Sequence, residues 1–237
     1  MSYKTELHCH TSEVSDCGTA SAEWVVNKYT QTGYDTLFIT NHMSKYTFGE
    51  GGSQKYTGGD DWNSKMDFYF EGFKLVRDIA KDKNINILFG VELRSNTDDN
   101  DYLIFGLDED FYRSFPDILD APLKHVIGRV HEAGGLFFQP HPFRNGITVK
   151  KPAMLDGIEV FNGHIGHDSR NDIANMWADK YGLKKISGSD MHHHTHTPNG
   201  GILTDMPITS EKQLIEILKS GNYTPLHAGE EPVLPSL

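Results

Sequence analysis

Short apolar runs alternate with helix-like segments along this chain, and this alternation limits its fold more strongly than any other feature. Seven runs have the length of strands and are mostly β-branched or aromatic. They span residues 3–8, 36–40, 85–91, 102–105, 135–139, 157–161 and 184–187. Because strands that alternate with helices form parallel βαβ units, we predict an α/β fold whose seven strands form a closed or nearly closed barrel.

Five further segments have the pattern of helices, and they span residues 21–32, 67–81, 122–133, 169–180 and 210–219. Ser21 and Ser210 occupy positions expected for N-cap residues. Residues 45–65 are rich in Gly, Ser and Asp, which predicts either a mobile loop over a site or a plain surface insertion. A length of 237 residues fits a single barrel domain over residues 1–237.

The charge and the cysteine content exclude several classes of protein. The chain has 33 acidic and 22 basic residues, a formal net charge of −11, which disfavours binding to long nucleic acid. Two cysteines, Cys9 and Cys17, are too few for a disulfide framework and do not have zinc-ribbon spacing. Because the sequence has neither a signal-peptide core nor an apolar run of membrane length, we expect a cytoplasmic protein without a membrane partner.

Polar side chains capable of acid–base or metal chemistry cluster at the ends of the predicted strands. They are His8, His10, Asn41, His42, Glu92, Asp101, His141, Asn162, His164, Asp190 and His192. In a parallel barrel, the carboxyl ends of the strands meet on one face, where active sites lie. Burial of so many imidazoles and carboxylates is costly unless they are paired or bound to metal. The strand ends therefore predict a metal site.

The spacing of the histidines supports this prediction. Residues i and i+2 of a strand point the same way, so His8 and His10 can bind one ion while Cys9 points away, and Asp190 and His192 form a similar pair. Imidazole and carboxylate ligands suit Zn, Fe or Mn. The number of candidate ligands favours two or three divalent ions, and Glu92 is the best-placed residue to bridge them.

Five motifs together resemble the PHP family, named for polymerase and histidinol phosphatase. They are ELHCHTSEVSDCG near the start, ITNH ending at His42, GVE ending at Glu92, HPFR beginning at His141 and GSDMH ending at His192. They occur in the order of the family and cover essentially the whole chain. The resemblance implies a distorted seven-stranded (β/α) barrel, similar to a TIM barrel, with a trinuclear metal centre at its C-terminal face.

The resemblance also assigns residues to the three ions. It implies that one ion is held by His8, His10, Glu92 and Asp190, a second by Glu92 and His141, and the third by Asp16, His42 and His192. Many family members have a histidine on the fourth strand that completes the coordination shell of the second ion. This chain has DYLIFG there, so Asp101 or water is expected to take that place.

Several cationic or imidazole side chains near these motifs are candidate substrate contacts. Arg144 follows His141 in the HPFR motif and can clamp a phosphate bidentately, although an ordinary salt bridge is the alternative. Arg94, Lys45 and His164 are further candidates, and each has a plain surface role as its alternative. His194 has the same strand parity as His192 and is a candidate if the extended backbone continues that far. We expect His196 to be solvated.

These features predict a metal-dependent hydrolase of phosphoesters. Clustered divalent ions generate hydroxide near neutral pH, and we expect Glu92 and Asp190 to support the metal-bound hydroxide. The expected proton donor is metal-bound water, His164 or His194. The expected partner is a small phosphorylated substrate, either a phosphomonoester or a short or cyclic nucleotide. Two alternatives are an amidohydrolase-type enzyme that cleaves C–N or C–O bonds, and a non-catalytic, metal-binding regulatory protein.

Overall fold

The computed structural model describes residues 2–52, 54–98 and 100–227, and its strands belong to one sheet. The ten strands are β1 (Tyr3–Glu6), β2 (Thr36–Ile39), β3 (His42–Met43), β4 (Asn86–Arg94), β5 (Asp101–Phe105), β6 (Leu136–Gln139), β7 (Gly157–Asn162), β8 (Lys184–Gly188), β9 (Ile202–Thr204) and β10 (Thr224–Pro225). Their order is β10-β9-β1-β2-β4-β5-β6-β7-β8, and β3 pairs with β4. Each predicted run overlaps one strand, and the three unpredicted strands of the described chain have only two or three residues.

In the described part of the chain, six α-helices connect or follow these strands. They are α1 (Ala22–Gln31), α2 (Trp62–Ile79), α3 (Glu109–Arg113), α4 (Leu123–Glu132), α5 (Asn171–Tyr181) and α6 (Glu211–Ser220), with short 3-10 turns at Glu50–Gly52 and Pro152–Met154. Ser21 and Ser210 cap α1 and α6 as predicted. Within the described part of the chain, no helix combines the length and apolarity needed to cross a bilayer.

The start predicted for α2, residue 67, is wrong by five positions. The helix begins at Trp62, where the Asp61 side chain accepts a hydrogen bond from the Ser64 amide at 3.0 Å. An aspartate at this position satisfies one of the free amides of the first turn. The end of the predicted loop 45–65 is therefore helical.

Among the described strands, β5 is antiparallel to β4 and β6, β9 is antiparallel to β1 and β10, and the other paired strands are parallel. The expectation of parallel strands is therefore wrong at the predicted strand β5. A crossover between parallel strands needs a dozen or so residues, whereas residues 95–100 are all that separate β4 from β5. The short connection reverses the chain, so the start of β5 lies beside the end of β4, and Asp101 pairs with Arg94.

Contacts between the two sides of the sheet nearly close it into a barrel. Cys9, just after β1, forms a parallel bridge with Met191, just after β8, and the His10 amide donates to the Met191 carbonyl at 3.0 Å. The Ser187 hydroxyl donates to the Leu226 carbonyl at 2.6 Å. These contacts confirm the α/β barrel class predicted from the sequence.

The strands bury apolar side chains on both faces. Within β5, Leu103 and Phe105 belong to one apolar cluster, and Tyr102 and Ile104 belong to the other. This alternation follows from the two-residue repeat of a strand. Burial on both faces explains why the sequence shows continuous apolar runs instead of an alternating pattern.

Candidate metal centre

The buried carboxylate of Glu92 lies at the centre of a group of imidazole rings. Its Oε2 atom is 3.2 Å from Nε2 of His8 and 3.1 Å from Nε2 of His10. The same oxygen is 3.1 Å from Nδ1 of His42, and Oε1 is 3.2 Å from Nε2 of His141. The segments just after β1 and β6, the start of β3 and the last third of β4 thus bring together side chains that are distant in sequence.

Asp190 and His192, which follow β8, extend this group. Asp190 Oδ1 lies 3.4 Å from His8 Nε2 and 3.1 Å from His192 Nδ1. Donor atoms within 4.8 Å of one another form four groups: His10–His42–His192, His8–His10–Glu92, His8–His141–Asp190 and His42–Glu92–Asp101. Seven of the eight residues predicted as metal ligands therefore lie in one cluster.

Hydrogen bonds fix which nitrogen of His8 faces the carboxylates. His8 Nδ1 lies 2.9 Å from Oε1 of the buried Glu159, so Nδ1 carries the proton that this carboxylate accepts. In the neutral ring, Nε2 then presents a lone pair to Glu92 and Asp190. His8 Nε2 and Glu92 Oε2 are buried and have no hydrogen-bond partner within the described part of the chain. A cation between them would remove the repulsion.

His10 is oriented in the same way by Ser15. The Thr11 amide donates to Asn41 Oδ1 at 2.8 Å, and the Ser15 hydroxyl donates to the same oxygen at 2.9 Å. Because its one proton is used, Ser15 Oγ accepts from His10 Nδ1 at 3.1 Å. His10 Nε2 is therefore also free to bind a cation, and these imidazole and carboxylate donors fit a divalent metal ion.

The electrostatics of the cluster keep its carboxylates ionised. Burial opposes ionisation of Glu92, but His8 and His42 outweigh this effect and hold the pKa of Glu92 well below its usual range. Burial likewise opposes ionisation of Asp190, yet His8 and His192 hold its pKa well below its usual range. Burial lowers the pKa of His42 well below its usual value. Both carboxylates are therefore ionised at neutral pH. Although burial opposes protonation of His8 and His10, Asp190 and Glu92 raise the pKa of both rings above the usual value, and a bound cation would replace this positive charge.

Two of the clustered residues have a backbone conformation that L-amino acids seldom adopt. His141 has φ 32° and Asp190 has φ 50°, both in the left-handed region. Strained conformations of this kind occur mainly at functional sites, where surrounding structure enforces them. The strain supports a functional role for the two side chains.

Sequence reasoning missed two buried glutamates that support the cluster. Glu159 contacts His8, and its Oε2 accepts from the His141 amide at 2.9 Å. Glu6 Oε1 accepts from the amides of His8 and Ser189, both at 2.9 Å. The available signal was an acidic residue inside an apolar strand, as in GIEVF for Glu159.

Asp101 lies beside the cluster and holds two guanidinium groups. Its Oδ1 accepts from Arg94 Nε at 2.6 Å and its Oδ2 from Arg94 Nη2 at 2.7 Å. Arg144 Nη2 lies 3.5 Å from Oδ2, so the alternative of a salt bridge for Arg144 is present in the structure. Both oxygens of Asp101 are already used by Arg94, and its expected role as a metal ligand stays a prediction.

Two cavities share Tyr46 and Arg94 in their linings, and one of them opens beside His42. One of about 210 Å³ is lined by Asp16, His42, Tyr46 and Arg94, among others. The other, of about 240 Å³, is lined by Lys45, Tyr46 and Arg94, among others. Asp16 is exposed and lies outside the four groups of donor atoms. The structure thus places Asp16, Lys45 and Arg94 along a groove that leads away from the cluster.

The histidines after β8 depart from the expected arrangement. A turn over residues 193–195 ends the extended backbone, so the condition set for His194 is not met. The exposed His194 ring packs edge-on against Trp24 at 4.9 Å and is not brought to the cluster. The expectation that His196 is solvated is wrong, since it is buried and its Nδ1 accepts from the His192 amide at 3.2 Å.

His164 lies closer to the cluster. Its half-buried ring is 5.4 Å from that of His192 and stacks on His167 at 4.3 Å. Burial lowers the pKa of His164 to about 3, with the charges of His167 and His192 acting in the same direction. This ring is therefore neutral near pH 7.

Comparison with known proteins identifies the family of the chain. The family model described as PHP domain matches residues 6–189, and one described as PHP-associated matches residues 168–223. No curated protein sequence matches the chain.

Several solved structures share the fold at low sequence identity. A two-domain protein from Bacteroides vulgatus that contains a predicted PHP-like metal-dependent phosphoesterase is 20% identical, with a TM-score of 0.68 over 96% of this chain and 65% of that chain. A lesion-specific endonuclease from Pyrococcus furiosus is 13% identical, with a TM-score of 0.62 over 98% of this chain and 60% of that one. This chain thus spans less than two thirds of either protein.

An amidohydrolase from Chromobacterium violaceum, solved with bound sulfate, is 16% identical, with a TM-score of 0.55 over 94% of this chain and 98% of that chain. At such identities these likenesses show the fold alone. The PHP domain model, by contrast, matches well over half of the sequence and includes most of the clustered residues. The chain therefore belongs to the PHP domain family.

Proposed function

We propose that this protein is a metal-dependent hydrolase of small phosphoesters. One observation carries the proposal: Nε2 of His8 and Nε2 of His10 lie 3.2 and 3.1 Å from Glu92 Oε2, and these three buried atoms have no hydrogen-bond partner within the described part of the chain. The ions would be held by the seven clustered residues, with Asp16 reaching in from the rim. Divalent ions bound there would activate water for attack and neutralise phosphoryl oxygens.

The cationic side chains beside the cluster support the choice of a phosphoester as the substrate. Arg94 and Arg144 are both anchored on Asp101, and Lys45 lines the same groove as Arg94. Guanidinium groups bind phosphate through two parallel hydrogen bonds. Arg94 and Arg144 would therefore orient the phosphate, and Lys45 would add a positive charge farther along the groove.

The sizes of the cavities and the net charge favour a small substrate. Cavities of about 210 and 240 Å³ suit a phosphomonoester or a short or cyclic nucleotide. A net charge of −11 disfavours long nucleic acid. Since His164 is neutral near pH 7, it is a poor proton donor to the leaving alkoxide, and metal-activated water is the better candidate.

An amidohydrolase-type reaction is the second candidate. A structural neighbour from Chromobacterium violaceum is named as an amidohydrolase, and the two reaction classes share the need for clustered imidazole and carboxylate ligands. The pair of anchored arginines favours an anionic substrate and therefore the phosphoester reaction.

Two measurements test the proposal. One is elemental analysis of protein purified without chelator, and the other is an activity assay with aryl phosphates, aryl esters and cyclic amides. We expect two or three divalent ions per chain and turnover of the phosphates. The Asp190→Asn variant should bind less metal. Its rate of phosphate ester hydrolysis should fall by at least 10²-fold, an order of magnitude typical of lost electrostatic stabilisation. His131→Gln, which alters an exposed ion pair with Asp156, is the control. Turnover of amides alone would favour the second candidate, and bound metal without any turnover would favour a regulatory protein.

A further inference from the structure

His167, on the loop between β7 and α5, points a buried nitrogen at the metal cluster. Its Nε2 lies 3.6 Å from Asp190 Oδ2, a separation too long for a good hydrogen bond. That nitrogen has no hydrogen-bond partner within the described part of the chain. The His167 ring is 5.8 Å from the ring of His141, so it lies on the His141 side of the cluster.

The surroundings of Asn162 determine the proton position on His167. Asn162 Nδ2 donates to Glu159 Oε2 at 2.8 Å and to Asp190 Oδ2 at 3.1 Å. Two carboxylates on one side of the amide group fix the orientation of that group, because only its nitrogen can donate to them. Asn162 Oδ1 must therefore act as an acceptor.

Ser169 links this amide to the imidazole. Its hydroxyl lies 3.2 Å from Asn162 Oδ1 and 3.0 Å from His167 Nδ1. Because the single hydroxyl proton is donated to Asn162, Ser169 Oγ must accept a proton from His167 Nδ1. The neutral His167 ring then carries its proton on Nδ1 and presents the Nε2 lone pair to Asp190.

The same arrangement orients His10, where a serine hydroxyl donates to an asparagine and accepts from Nδ1. Two lone pairs that face each other in a buried site require a cation between them. His167 faces Asp190, which also belongs to the clustered His8–His141–Asp190 donors. The proton of His167 is thus held on Nδ1 in the same way as that of His10, which is assigned to the metal centre.

We propose that His167 is an additional metal ligand, acting with Asp190 on the His141 side of the centre. The proposal rests on the proposed function in requiring a metal centre. It supplies a nitrogen ligand on the side where this chain lacks the histidine that many family members have on the fourth strand. Neither Asp101 nor water is then needed to fill that place.

Metal titrations of His167→Gln, His141→Gln and His125→Gln test the proposal. Zn²⁺ is titrated into chelator-treated protein against a competing chromophoric chelator, and bound zinc is counted by elemental analysis. We expect His167→Gln to lower the affinity for one ion by about 10- to 100-fold, and His141→Gln to do the same or more. His125, exposed on α4 and in contact with Phe115, is the matched control and should leave affinity unchanged.

The outcomes separate the two proposals. Unchanged zinc affinity in His167→Gln beside a clear loss in His141→Gln would overturn the role of His167 alone. Unchanged affinity in both variants would overturn the metal centre itself. Ser169→Ala, which removes the acceptor for Nδ1, should lower the zinc affinity by a smaller factor. Far-UV circular dichroism of each metal-free variant checks that it folds.

Nitrogen NMR of the zinc-loaded protein provides a readout that does not depend on any substitution. We expect the His167 ring to carry a proton on Nδ1 only, with the Nε2 shift changed by bound metal. Protons on both ring nitrogens in the loaded protein would instead identify an imidazolium paired with Asp190 and would exclude His167 as a ligand.

Discussion

Asp101 couples two arginines to the edge of the histidine cluster. The carboxylate is buried, and it receives two short hydrogen bonds from Arg94 and a longer contact from Arg144. Each charge-assisted hydrogen bond contributes on the order of 1.5–3 kcal/mol. Asp101 therefore fixes where the guanidinium groups can meet a substrate phosphate.

We expect Asp101→Asn to raise KM for an aryl phosphate, and the inhibition constant of orthophosphate, by about tenfold, the effect of weakening one such bond. Metal content should stay unchanged, because the arginines rather than an ion occupy the carboxylate. Asp78→Asn, which alters an exposed ion pair with Lys81, is the matched control. Loss of one ion with an unchanged KM would instead make Asp101 a metal ligand.

At the level of single residues, motif spacing identified most of the side chains that the structure brings together. His8 and His10 lie together because the backbone stays extended around Cys9, which forms a bridge with Met191. Asp190 and His192 are also close, but Asp190 has φ 50°, so strand parity does not explain their proximity. Glu159 was missed since nothing in the sequence shows which face of a doubly buried strand meets the site. His196 was misjudged because a turn reverses the chain after His192.

At the level of elements, strand β8 must approach β1 closely for the cluster to form. A Cβ atom on Gly188 would lie 2.3 Å from His8 Cβ and 2.5 Å from Glu159 Oε1. Glu159 cannot withdraw freely, because that oxygen accepts from His8. The glycine is therefore required by packing between a strand and a side chain of the histidine cluster.

Gly188→Ala should lower the free energy of unfolding by about 1–3 kcal/mol, the usual cost of overpacking, and should also weaken metal binding. Gly128→Ala on α4 is the matched control, since a Cβ there meets no atom within 4 Å. In a helix interior that change should stabilise the protein by up to about 1 kcal/mol. Urea unfolding and zinc titration measure both effects, and equal stability of the two variants would contradict the packing argument.

Periodicity located the strands and helices but not their directions or all their boundaries. The seven apolar runs each became a strand, yet the reversal at β5 depends on the length of the connection, residues 95–100. That length was available in the sequence. The early start of α2 depends on one capping aspartate, Asp61, in a segment whose composition otherwise indicates a loop.

At the level of the whole molecule, the clustered ligands join distant parts of the barrel. His8 and His10 follow β1, Glu92 lies in β4, and Asp190 follows β8. Ions bound between them would connect these elements only in the folded protein. The barrel class itself was predictable, because strand number and strand–helix alternation constrain the possible architectures.

Removal of metal should therefore lower the thermal stability. A ligand that binds only the folded state at 100 times its Kd adds about 2.7 kcal/mol, so chelator treatment should reduce Tm by several degrees. Differential scanning calorimetry with and without a chelator measures the change, and added Zn²⁺ or Mn²⁺ should reverse it. Glu92→Gln should show little response to the chelator. An identical Tm in both conditions for the unaltered protein would argue against ions that span the barrel.

The closure of the barrel between Cys9 and Met191 also determines when the site can exist during synthesis. His8 emerges from the ribosome before its partner Glu159, which lies 151 positions later. The Ser189 amide, which bonds to Glu6, lies 183 positions after it. Until those later segments emerge, His8 lacks the Glu159 and Asp190 carboxylates that it contacts in the folded protein. A nascent chain must therefore be translated at least as far as Asp190 before the proposed centre can form, and a product truncated before that point would lack it.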